Sequence, residues 1–293
     1  MNKTKSLSEA VSQIKSGMTI GIGGWGPRRK PMALIRELLR SDVTDLTVVA
    51  YGGADVGMLC AAGKVKKLIF AFVSLDFIPL EPYFRQARQN ADIDIMEIDE
   101  GLMVLGLRAA AMGAPYIPTE VGLGTDVVTR NTRDINVIDS PYDDKEWLAM
   151  PALKLDVSLI HVDRADERGV CQIKGPDHYM DDLFARAATT TIVSCDELVD
   201  TEYFHSNPEE ARYVYWERSA TNHVVHSKFG AHPSSSNPLH GIDVGHFKAY
   251  AASVKEEGGW QQYFDDYVAI GEQAYVEKVG GADAIQSLPL PIY

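Results

Sequence analysis

Over residues 6–112, short runs that are apolar at every position alternate with stretches that are apolar on one helical face only. Ser6 and Glu9 fit a capping box ahead of Leu7, Ala10, Val11 and Ile14, which share a face, and Gly17 closes that helix. A strand over 18–22 runs into Gly23-Gly24-Trp25-Gly26, and Pro31 suits the first turn of a helix carrying Ala33, Leu34, Ile35, Leu38 and Leu39. The rhythm repeats with a strand over 46–51, the pair Gly52-Gly53, a helical stretch and a strand over 68–73. A helix over 83–89, a strand over 93–98 and a helix over 102–112 follow. Strands with no polar face must be covered on both sides, so the chain is expected to fold as an α/β protein, an open, mostly parallel sheet with helices on both faces. Strand signals resume at 157–162 and 190–193. Residues 121–150 look irregular, an insertion or contact loop, residues 222–242 look like another loop, and a helical part begins at about 244. The whole of 1–293 is expected to be a single domain.

Such sheets bind ligands beyond the carboxyl ends of their strands. That makes Gly23, Gly24 and Trp25, Gly52 and Gly53, Ser74, and Asp99 with Glu100 the candidate site residues. Residues 21–26 match GxGxxG after a strand, the dinucleotide pattern. Two details oppose it: residues 27–31 intervene where the helix should open, and Tyr51-Gly52 stands where the ribose-binding acid belongs. The same loop suits an anion, because glycines admit close backbone approach and Arg28, Arg29 and Lys30 stand beside it. They do so in a chain with 28 basic against 41 acidic residues, whose net charge of −13 argues against a nucleic-acid partner. A tight turn with solvated charges is the plainer alternative. Glu100 ends a strand and opens a helix, where a carboxylate serves either as a general base or as a cap, and the residues alone favour the cap.

No metal is expected. His223, His226, His232, His240 and His246 match no zinc spacing, and Cys60, Cys171 and Cys195 form no CxxC pair. The GxSxG elbow is absent. No apolar run approaches the ~20 residues of a membrane span, and the N-terminus lacks an apolar signal core, so a cytoplasmic chain is expected.

Several stretches in order resemble the α subunit of the family I coenzyme A transferases, in particular its glutaconate branch. They are residues 17–26 with Pro31, Asp99-Glu100-Gly101 before Leu107–Ala111, Asp156–Asp166 with Gly169, Gln172 and Gly175, Ile192–Asp200, and Gly230-Ala231-His232-Pro233. Residues 28–32, 41–47 and 62–66 resemble a ring-cleaving hydrolase branch of that family, which opens the last steroid ring of a cyclic β-keto CoA thioester. The resemblance implies an enzyme active only with a β subunit of related fold, as an α2β2 heterotetramer, with CoA as part of the substrate and no other cofactor. It implies that Glu100 is the general base, that the Gly23-Gly24 amides hold an oxyanion, and that Arg28 and Arg29 hold a substrate carboxylate or CoA phosphate. Glutaconate-type or 3-oxoacid CoA transfer, with the catalytic glutamate on the partner, is the alternative. A ligand-sensing module on the same fold is the non-enzymatic one.

Overall fold

The computed structural model describes residues 2–292. Its strands are β1 Thr19–Ile22, β2 Leu46–Gly52, β3 Val65–Val73, β4 Asp94–Glu97, β5 Tyr116–Thr119, β6 Asn136–Asp139, β7 Glu146–Pro151, β8 Leu155–Asp166, β9 Cys171–Gln172, β10 Ala188–Val199 and β11 His223–His226. The main sheet has the order β11-β10-β8-β1-β2-β3-β4, with every pair along it parallel, and β9 pairs antiparallel with β8.

Both faces of this sheet are buried, as the apolar strands require. On one face Ile20, Ile22, Val48, Ala50, Leu68, Phe70 and Leu159 pack under helices Met32–Arg40, Ala54–Ala61 and Pro82–Asn90 and under the C-terminal helices. On the other, the alternate residues Val49, Tyr51, Ile69, Ile160 and Val162 pack under helices Glu100–Ala111 and Asp181–Ala187. Successive residues of one strand enter opposite cores, which is the period-two geometry of a sheet covered on both sides.

Several local features depart from expectation. Pro31 caps the helix Met32–Arg40 rather than occupying its first turn, and the capping box at Ser6 and Glu9 is present. The stretch 121–150 is not an irregular loop. It carries β6 and β7, which pair antiparallel and with β5 complete a second, three-stranded sheet. Leu148 and Met150 of β7 are buried against the helix Glu100–Ala111 and anchor that sheet to the body. The segment 222–242 likewise contains a strand, because His223–His226 continues the parallel ladder from β10. After it come the four helices Val244–Ser253, Gly259–Tyr267, Glu272–Lys278 and Gly281–Gln286.

Candidate active site

The register places Ile192, Leu159, Ile22, Ala50, Phe70 and Glu97 in one row across the sheet. Everything beyond that row lies at the carboxyl edge. The chain winds outward from β1 to β4 and then returns to β8, so the connections reverse between β1 and β8, and ligands bind at such a switch point. The glycine loop leaves β1 there.

Its glycines are required by close approach. A Cβ on Gly23 would collide with the Asp181 carboxylate, and Gly24 has φ +74° with the Arg28 and Arg29 carbonyls against it. The loop amides that the sequence suggested for an oxyanion are bonded within the fold. Gly23 N–H donates to the Leu159 carbonyl at 2.9 Å, and Gly24 N–H donates to Asp181 at 2.9 Å. Trp25 and Arg28 exchange both backbone bonds at 3.0 Å, and Gly26 N–H donates to the Tyr51 carbonyl. These amides hold the loop down and have no proton left for a ligand. Gly52 and Gly53 are structural in the same way. The Gly52 carbonyl accepts from Ser74 N–H, Gly53 N–H donates to Asp55 at 2.7 Å, and a Cβ on Gly53 would meet the Gly26 carbonyl. The Ser74 hydroxyl accepts from the Asp76 amide at 3.0 Å.

The three neighbouring cations separate. Arg29 is buried and paired with Asp181, and it also donates to the carbonyls of His161 and Asp177. Lys30 is buried 3.0 Å from Asp55. Burial pulls the Lys30 pKa down, while Asp55 opposes that. Both charges are therefore paired inside the fold, and the structure does not bring Arg29 and Lys30 to the surface where the sequence suggested an anion. Arg28 alone keeps an accessible guanidinium. It is 28% exposed, 2.7 Å from Asp76, within 3.4 Å of the Tyr179 hydroxyl and 5.0 Å over the Trp25 ring. Burial works against its charge, but Tyr179 and Asp76 more than compensate and raise its pKa.

Trp25 stacks on Tyr179 at 5.6 Å and meets Phe72 edge-on at 4.7 Å. Arg29, Asp76 and Tyr179 all have positive φ, at 45°, 63° and 41°. Such strain in non-glycine residues collects at functional sites. Tyr179 and Phe72 were not legible from sequence, since Tyr179 is about 150 residues from Arg28 and carries no motif, whereas Asp76 follows Ser74 at the end of a strand that the sequence already marked.

Asp99 and Glu100 divide the roles that the sequence left open. Asp99 is the N-cap of the helix Glu100–Ala111, its carboxylate accepting from Leu102 N–H at 2.8 Å. Glu100 occupies the first helical position, and its exposed side chain makes no hydrogen bond or ion pair within the described residues. Its backbone is fixed by Tyr51, whose buried hydroxyl donates to the Glu100 carbonyl at 3.1 Å. Burial pushes the Tyr51 phenol up, and the Glu100 and Asp99 charges add to that. Capping is thus done by Asp99, and Glu100 has a free carboxylate at the carboxyl edge.

The histidines serve hydrogen bonds. His232 contacts Tyr275 at 2.7 Å and Asp243 at 3.2 Å, His246 contacts Tyr263 at 2.9 Å, and His240 Nδ1 lies 2.9 Å from the Gly241 carbonyl. Among the described residues no group of His, Cys, Asp or Glu is arranged to hold a metal. A Ser194–His161–Asp196 constellation has the distances of a catalytic triad, 2.8 and 3.1 Å. It is buried, and Asp196 also accepts from Ser236 and from Phe229 N–H, so it pins β8, β10 and the loop after β11 together.

The model of the coenzyme A transferase family matches residues 4–226, from the first strand pairings through β11. The chain belongs to the coenzyme A transferase family. The IpdA subunit of the cholesterol ring-cleaving hydrolase of Rhodococcus jostii is 43% identical over 95% of this chain and 96% of its own length. The crystal structure of glutaconate coenzyme A-transferase from Acidaminococcus fermentans superposes with a TM-score of 0.91 at 26% identity, covering 99% of this chain and 96% of that one. The AibA/AibB decarboxylase structure follows at a TM-score of 0.79, with 26% identity, 90% of this chain and 98% of that one. Within this coenzyme A transferase chain, the free carboxylate of Glu100 and the accessible guanidinium of Arg28 both stand at the carboxyl edge.

Proposed function

We propose that this chain is the α subunit of a heteromeric enzyme that hydrolytically opens the last ring of a cyclic β-keto CoA thioester in steroid catabolism. The observation that carries the reading is the free Glu100 carboxylate in a chain that matches a ring-cleaving hydrolase subunit along almost its whole length. CoA enters as part of the substrate, and the chemistry calls for no metal or nicotinamide. The partner is a β subunit of related fold in an α2β2 assembly, and the setting is the cytoplasm. No helix among the described residues is long and apolar enough to cross a membrane.

In this mechanism Glu100 takes a proton from water as the oxygen attacks the ring ketone. The bond between that carbon and the carbon next to the thioester then breaks. Its electron pair passes to the latter carbon as a thioester-stabilised enolate, and the proton held on Glu100 returns there. The products are a new carboxylate and an opened chain still bearing CoA. Because the glycine-loop amides are occupied, Arg28 is the cation available to the developing negative charge, and Trp25, Phe72 and Tyr179 offer aromatic surface to the apolar rings.

The test is to purify the chain with its β subunit and supply the cyclic thioester in H2¹⁸O, once without a CoA acceptor and once with acetate. Ring opening with the label in the new carboxylate is expected. CoA transfer to acetate with no ring opening would establish the transferase reading instead, which the glutaconate coenzyme A-transferase superposition favours.

A further inference from the structure

A pocket of about 470 Å³ opens at the carboxyl ends of β8, β10 and β11, lined by Asp163, Arg164, Lys174, Glu197, His226 and Lys228 among others. None of these residues takes part in the chemistry above. The pocket lies on the same edge as Glu100: Asp163 stands four residues past the row through Leu159 and Ile22, and Glu100 three past Glu97 in that row. From β8 to β4 there are four strand steps, through β1, β2 and β3, or about 19 Å at about 4.8 Å each. Arg28 leaves β1, between the two.

The lining has a definite chemistry. Arg164 is paired with Glu197 at 2.6 Å and Lys174 with Glu210 at 2.9 Å. Lys228 is exposed, lies 5.1 Å over the Phe229 ring and has no carboxylate within ion-pair distance among the described residues. Asp163 is only 7% exposed. One of its oxygens accepts from Lys174 N–H at 2.6 Å, and the other has no hydrogen-bond partner among the described residues. Burial pushes this carboxyl up to about 6, so it is mainly an ionised acceptor at neutral pH. The pocket thus combines a buried acceptor, suited to a hydroxyl or amide N–H, with an exposed cation at its mouth, suited to a phosphate.

We propose that this pocket seats the phosphate-bearing arm of the CoA thioester whose acyl end lies at Glu100. The inference rests on the CoA-thioester reading above and adds a subsite to it. A long arm with amides and a hydroxyl leading to phosphates spans the four strands, passes Arg28, meets Asp163 with its donors and Lys228 with its charge. Free CoA presents the same chemistry.

The experiment uses the complex with its β subunit, with CoA and phosphate-free pantetheine as probes in calorimetry, alongside steady-state kinetics of the thioester. Lys228→Glu, an exposed change, should weaken CoA binding about tenfold or more at low salt, raise KM by a similar factor and leave kcat and pantetheine binding unchanged. Asp163→Asn should weaken CoA and pantetheine alike by a few-fold. If Lys228→Glu binds CoA and turns over the thioester as the wild type does, the pocket is not the subsite, while the ring-opening reading stands. A wild-type complex with no CoA affinity overturns both readings. A thioester KM that responds to Lys228 while free CoA does not places the arm in the pocket only during turnover and still supports the assignment.

Discussion

At the scale of single residues, three consecutive cations receive three different fates from one turn. The backbone crosses into positive φ at Arg29, which turns that side chain under β8 while Arg28 stays at the edge. Two substitutions separate the roles. Arg29→Ala leaves Asp181 buried without its partner, and removing one member of a buried pair costs about 3–5 kcal/mol, so thermal and denaturant unfolding should show a large loss. Arg28→Ala should leave the unfolding midpoint nearly unchanged and raise KM by the equivalent of about 1.5–3 kcal/mol, read from kinetics of the complex. Equal stability losses in both variants would contradict the division. Sequence marked the cations as unusual in an acidic chain but gave no sign of which were buried, because Asp55 and Asp181 reach the loop only through the fold. Glu100 was legible for a local reason: a strand, an acid pair and a helix follow one another directly. Even so, the competing role of cap was resolved only when Asp99 was seen to occupy it.

At the scale of elements, the strands and helices of residues 6–112 were legible because each carries its own period and its own punctuation. The second sheet was not, since no residue of β5 or β6 is fully buried, so no apolar run marks them, and their pairing comes from β7. The C-terminal helices are joined to the body by His232 and Arg36, both packed on Tyr275, and to one another by His246 on Tyr263. Burial pulls His246 down to about 3 and lowers His232, where Asp243 only partly compensates. Both histidines are neutral in the fold and take up a proton when unfolded below about pH 6.5. The unfolded state then binds more protons, so for His246 this stability is complete above pH 6.5 and is lost as pH falls towards 3, by up to about 1.4 kcal/mol per pH unit, and the lowered His232 adds a decline of the same sign. Urea unfolding at pH 7 and pH 5 should show the decline, and His246→Gln should flatten it. An unchanged slope in that variant would rule out His246 as a source.

At the scale of the whole molecule, the carboxyl edge presents the free Glu100 carboxylate, the accessible Arg28 guanidinium and an aromatic surface, while the glycine-loop amides beside them are already bonded within the fold. The isolated chain is accordingly expected to be inactive and to gain full turnover only on addition of its β subunit, which a titration of one subunit against the other would show as saturating activity. Substantial turnover by the chain alone would contradict that division of labour. The central claim, that this α subunit carries the general base, is tested most directly by kcat of the assembled complex with Glu100→Gln, using Asp99→Asn as the matched change. A general base contributes about 10²–10⁴-fold, so Glu100→Gln should lower kcat by that much with CoA-thioester binding retained. Asp99→Asn should keep most of the activity and lose no more than ~1 kcal/mol of stability from the altered cap. Normal turnover by the Glu100→Gln complex would show that the base lies elsewhere.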